Sequence, residues 1–301
     1  MPANDISILA KGLKNPNGLL RAKAARGLAK AGPEAKSAFG SLIIAVDDEE
    51  QAVREAAVQA IGGIGADAVP TLVGLLSHGD KYVRRNAVWG LGKLGANALP
   101  ALHTLCTSLL DSDPRTASGA AQALGAMGAV GAKAIPALDT AMRGANVVLC
   151  RLAAKALSQI GPPALPSLLK ALRDPDPFVR GEAAISLGWM GAEATPAVSA
   201  LMATIDSFRP NPPTHRAKVT HASLHGNSGT TSSKTVTPPA QVVPDDNASG
   251  TDTARVCAIQ ALGRTGPTAD LAETLLEEIA NNEGEPFKGA AILSLRQIRG
   301  E

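Results

Sequence analysis

A chain of 301 residues, 45% hydrophobic and 19% charged, has enough apolar material for a large core, yet it holds only four Phe, two Trp and one Tyr. Its core must be built from Ala, Leu, Val and Ile, a palette suited to thin, closely packed helices. With 29 Lys+Arg against 27 Asp+Glu the formal charge is +2, which excludes an electrostatic grip on nucleic acid or an anionic membrane unless the charges segregate.

The chain opens on MPANDISILAKGLKN, which lacks the charged start, apolar run and small-residue cleavage site of a secretion signal and reads as a short cap helix over 4–14. No segment carries the roughly 18 uninterrupted apolar residues that would span a bilayer. Cys106, Cys150 and Cys257 are isolated and odd in number, which fits reduced thiols, and a cytoplasmic location is expected.

From residue 20 onward a thirteen-residue phrase recurs eight times. Residues 53 to 65 read VREAAVQAIGGIG, residues 83 to 95 VRRNAVWGLGKLG, and residues 179 to 191 VRGEAAISLGWMG; weaker copies start at 20, 116, 149, 254 and 287. The fifth position is Ala in every copy, from Ala24 to Ala291, and the ninth is Leu or Ile, from Leu28 to Leu295. A spacing of four puts both on one helical face, and apolar residues at six and twelve widen it to suit a helix held between neighbours. Small Ala at position five is expected to admit the adjacent helix closely. The closing Gly at position thirteen, present in seven copies, predicts a helix end in a left-handed turn.

Five residues beyond that turn, or eight in the case of Pro136, stands Pro in most copies (Pro70, Pro100, Pro136, Pro166, Pro196), followed by apolar residues at helical spacing. Pro is tolerated in a first helical turn, so it predicts a second helix. A short polar link then leads into the next phrase. Ninth positions fall 30 or 33 apart, except for a gap of 75 between Leu187 and Leu262. Residues 207–250 are dense in Ser, Thr, Pro, Asn and His and have no apolar period, which predicts a disordered insertion in one link. The expected organisation is repeats one to six with the cap over 1–206, the insertion over 207–250, and repeats seven and eight over 251–301, the last a half repeat. That short start and half-repeat ending also fit a fragment of a longer protein.

The Val-Arg-x-x-Ala-x-x-x-Leu-Gly phrase, the Asp before it and the Pro-x-Leu second helix together resemble the HEAT-like repeats of the phycobilisome-lyase type. The resemblance implies an all-α fold, an α-solenoid wound as a right-handed superhelix of about eight helix-pair repeats, whose usual role is a non-catalytic protein-binding scaffold. The alternative it carries is a phycobilin-lyase-like subunit acting on a biliprotein chromophore. Deoxyhypusine hydroxylase, which shares this architecture, holds two irons on His-Glu pairs; none of His78, His103, His215, His221 and His225 is followed by Glu. No catalytic, cofactor or metal residue is assigned, and no nucleic-acid or membrane partner is expected.

Arg recurs at position two, as in Arg54, Arg84 and Arg180, with Asp48, Asp80 and Asp174 among the acids of the links. One charged residue per repeat is expected to serve the stack as an Arg/Asp ladder. Trp89 and Trp189 stand at positions seven and eleven, where other copies carry polar or small residues, and are candidate anchors for a protein partner. The second helices are expected to line the concave face and to offer His103, Asp139, Arg143, Lys170 and Arg173 to that partner. The His215, His221 and His225 group lacks a structured frame for a metal.

Overall fold

The computed structural model describes residues 3–207, 246–265, 270–282 and 287–300. Every regular element among them is helical. After a cap helix α1 (Ala3–Gly12), the phrase helices are α2 (Gly18–Ala31), α4 (Gln51–Ile64), α6 (Lys81–Leu94), α8 (Pro114–Ala126), α10 (Val147–Ile160), α12 (Pro177–Met190), α14 (Asp246–Arg264) and α16 (Lys288–Arg299). Between them run α3 (Phe39–Ala45), α5 (Val69–Leu75), α7 (Leu102–Ser108), α9 (Ile135–Met142), α11 (Leu165–Ala171), α13 (Val198–Ser207) and α15 (Asp270–Asn281). The result is an α-solenoid of two layers. Helix α14 begins inside the segment that composition assigns to the insertion, because a helix can extend past its apolar stripe, and composition registers only the stripe. Residues 208–245 of that segment, with His215, His221 and His225, lie outside the described residues.

Positions five and nine supply the core, as their spacing requires. Leu28, Ile61, Leu91, Leu124, Leu157, Leu187 and Leu262 are fully buried, and so are the facing Leu42, Leu72, Leu105, Leu138, Leu168, Leu201 and Leu276 of the second layer. The Gly at position thirteen takes a positive φ in each of its six described copies, from 52° at Gly95 to 107° at Gly65. Its ψ, −125° at Gly95, lies outside the left-handed helical region, in a conformation that is essentially glycine's alone. Such a residue ends the helix and turns the chain into a 3₁₀ segment. Pro70, Pro136 and Pro166 stand in the first turn of their helices, whereas Pro100 and Pro196 lie within the 3₁₀ segments and precede α7 and α13. Either setting suits a residue without an N–H.

The distance between phrase helices is set at positions eight and ten. A β-carbon on Gly62 would lie 3.0 Å from the Cα of Gly90, one on Gly125 2.8 Å from that of Ala156, and one on Gly188 3.1 Å from that of Ala261. Where position ten is Gly, it thus meets position eight of the next helix almost backbone to backbone. Helices in the second layer meet their neighbours mainly through the 3₁₀ segments that precede them. In a curved double layer the more closely spaced layer occupies the inner arc, so the phrase helices line the concave side. The expectation that the second helices do so is reversed, because Gly and Ala at eight and ten draw the first layer together.

Candidate partner-binding surfaces

Arg at position two is held within the stack. Arg84 on α6 donates through Nε and Nη2 to Asp111 at 2.7 and 2.8 Å, and through Nη1 to the His78 and Gly79 carbonyls of its own link. Arg21 and Arg54 repeat the arrangement toward Asp48 and Asp80 at 2.7 and 2.6 Å. Each such Arg ties the link before its helix to the link after it. The Asp has a second role that the sequence did not reveal: Asp80 Oδ1 accepts from the Tyr82 N–H at 2.7 Å and caps α6, while Oδ2 takes Arg54. Arg180 Nη1 donates to the Asp174 and Pro175 carbonyls. The row is interrupted in the middle, where Ala117 and Cys150 occupy position two. There Arg143 crosses from α9 to Asp174 at 2.9 Å, and Arg151 reaches Glu182 at 3.0 Å.

These ion pairs shape the titration of their acids. At Asp111 the hydrogen bonds from Arg84 outweigh burial and hold the carboxyl below its usual range. Asp113 is held well below that range by Arg85, against burial and with help from Thr116. Burial pushes the Cys150 thiol up to about 12 and the Cys257 thiol up to about 11, with the charge of Glu182 adding to each. Neither supplies a thiolate nucleophile near neutral pH. Among the described residues no group of three metal-ligating side chains converges, and no helix is long and apolar enough to cross a membrane.

Trp89 and Trp189 are 48% and 47% exposed on the concave side. Trp89 stands between two hollows. One, of about 780 Å³, runs over α6, α8 and α10 past Val88, Arg115, Gln122, Leu152 and Lys155; the other, of about 290 Å³, reaches back over α4 and α2 to Gln59, Arg26 and Lys30. The Lys93 ammonium sits 4.2 Å from the centre of the Trp89 ring, and that of Lys155 6.0 Å from Trp189. No carboxylate lines either hollow. The two tryptophans stand out in the sequence, but the cations and amides around them do not. Aligning positions seven and eleven across the eight copies gives the signal, because none of those sixteen residues is Asp or Glu.

The candidates on the second helices divide. Asp139 and Arg143 pair with each other, and Arg143 also binds Asp174, so both are engaged within the stack. His103, Lys170 and Arg173 are exposed. Arg143, Lys170 and Arg173 border a shallow groove of about 720 Å³ with Pro166, Leu169 and Pro196; His103 does not line it.

A stack of helix pairs with closely packed inner helices, a buried Leu ladder and an open concave side defines an α-solenoid scaffold. The family model for HEAT repeats matches residues 6–76, 40–108, 69–148 and 138–209, and the chain belongs to the HEAT-repeat family. No curated protein compared with the chain matches it. Among solved structures it is similar to a mutant of Kap121p, at 12% identity over 98% of this chain and 33% of that one, with a TM-score of 0.52. It is similar also to the complex of CpcE and CpcF of phycocyanin lyase from Nostoc sp. PCC7120, at 21% identity over 97% and 94% of the two chains with a TM-score of 0.44. Human deoxyhypusine hydroxylase aligns at 18% identity over 99% and 97%, with a TM-score of 0.35. At 12% identity the likeness to the Kap121p mutant bears on the fold alone.

Proposed function

We propose that this chain is a protein-binding scaffold that holds its partner along the concave face of the phrase helices, with Trp89 as the principal anchor. One observation carries the reading: a half-exposed Trp between two hollows, in a chain with only seven aromatic residues. A large side chain left in water beside empty volume gains contact only when something else fills that volume. Arg at position two and the Asp residues of the links are engaged in holding the stack together, which leaves the concave residues free for recognition. Lys170 and Arg173 on the opposite side form a secondary surface.

Site-specific photo-crosslinking tests this reading. A benzophenone amino acid in place of Gln122, within the larger hollow, is expected to trap a defined protein partner in source-cell extract, and Trp89→Ala in the same chain to reduce that product by about tenfold or more. The same probe in place of Lys133, away from the groove, should not trap it. A product that forms equally at both positions, or that ignores Trp89→Ala in a folded variant, overturns the proposal.

A further inference from the structure

The near-neutral charge of the whole chain conceals a segregated stripe. At positions seven and eleven the phrase helices place Arg26, Lys30, Lys93, Lys155 and Arg264 in the open, and none of these makes an ion pair with a carboxylate among the described residues. Arg115 joins them on the wall of the larger hollow. The negative counterparts of the chain are placed elsewhere, because many of its acids lie in the links, where they cap helices and bind Arg.

Between the cations the same two positions carry Gln59, Gln122, Gln159, Gln260 and Gln297. A primary amide both donates and accepts hydrogen bonds. The main chain of an extended peptide offers both complements, whereas a nucleic-acid backbone offers acceptors almost exclusively. The floor of the larger hollow is apolar, with Val88, Ala123, Ala126 and Leu152 beside the Trp89 ring, which suits an aliphatic or aromatic side chain. Cations, amides and an apolar floor recur along a single line.

From this complementarity we infer that the concave stripe binds an extended acidic protein segment, its carboxylates on Lys93, Arg115 and Lys155 and an apolar side chain against Trp89. The inference rests on the scaffold reading above and names its partner class. Three helix spacings of roughly 9 Å separate α6 from α12, so the span from Trp89 to Trp189 is about 27 Å. An extended strand covers it in about eight residues at roughly 3.3 Å each.

Selection of random peptides of about twelve residues, displayed on phage against the full chain, tests the inference directly. The recovered peptides are expected to be enriched in Asp and Glu around an apolar residue. By fluorescence anisotropy, the variant Lys93→Glu with Lys155→Glu should bind the best of them about tenfold or more weakly. Lys14→Glu with Lys133→Glu, the same charge change at exposed residues away from both surfaces, should bind as the parent does. Both variants are surface changes, and thermal melts establish that they fold. Neutral or basic peptides that still depend on Trp89 overturn the acidic partner and leave the scaffold reading standing; recovery of no peptide overturns both. A single-stranded oligothymidylate that binds as tightly as the best peptide, with the same sensitivity to charge reversal, overturns the inference in favour of nucleic acid.

Discussion

Arg84 of α6 spans two links at once, donating to both carboxylate oxygens of Asp111 ahead of it and to the carbonyls of His78 and Gly79 behind it. Both side chains of the pair are largely buried, at 13% and 9% exposure. Removing one partner leaves the other desolvated and uncompensated, so Arg84→Ala and Asp111→Ala are each expected to lower unfolding stability by about 2 kcal/mol. The double variant should lose less than the sum of the two. Urea denaturation of the four chains measures this, and strictly additive losses would contradict the pairing.

Position ten sets helix spacing through the absence of a side chain. Gly125→Leu forces atoms into the backbone of α10, where even a β-carbon would lie 2.8 Å from Ala156 Cα, and should cost about 3 kcal/mol or prevent folding. Gly74 in α5 has open space around it. Gly74→Ala should therefore be neutral or stabilising by up to about 1 kcal/mol through helix propensity. Thermal melts of the two variants give opposite signs if the close approach is real.

Asp48, Asp80, Asp111 and Asp113 all have folded pKa values below the ordinary carboxylate value. For such groups the folded state favours the charged form. Their contribution to stability is fully present above about pH 4, the unfolded value, and is lost as pH falls through the lower folded values. Denaturation midpoints should hardly change on this account between pH 5 and 7, taking these as rough limits, and should fall steeply below about pH 4. The fall should be shallower in Arg84→Ala, where Asp111 loses the partner that depresses it.

Cys150 and Cys257 are buried and their thiols are pushed up by that burial. Iodoacetamide near neutral pH is expected to leave both unmodified in the folded chain and to label them once denaturant opens the stack. Mass spectrometry of the peptides around each residue reads the outcome. Rapid labelling of Cys150 in the native protein would show that α10 opens readily.

The ladder lacks its position-two Arg at Ala117 and Cys150, and α10 and α12 pack less closely than the other described neighbours in the inner layer. In a quasi-one-dimensional stack each junction opens according to its own interface. Amide exchange is expected to lose protection at the facing edges of α10 and α12 at lower urea than between α2 and α8. Uniform protection along the stack would contradict this weak junction.

The sequence determined what is local. The phrase with Ala at five, Leu or Ile at nine and Gly at thirteen specifies a helix, its buried stripe and its end, since each follows from spacing along one helix and from the φ of one residue. Repetition at a near-constant period specifies a stack, because no single helix pair can bury its own apolar face. What remained for the tertiary structure is everything that depends on one helix lying beside another. The carboxylate that Arg54 binds is that of Asp80 in the following link, whereas from Asp48 in its own link it takes only the backbone carbonyl. The inner face belongs to the phrase helices because Gly and Ala at eight and ten meet across the interface. Trp89 and Trp189 were recognisable singly as polar-position outliers, whereas Lys93, Arg115 and Lys155 became a stripe with them only when neighbouring helices brought residues far apart in sequence onto one surface. Helical periodicity fixes which way a side chain points from its own axis, but the faces that add together are fixed by how closely the backbones pack.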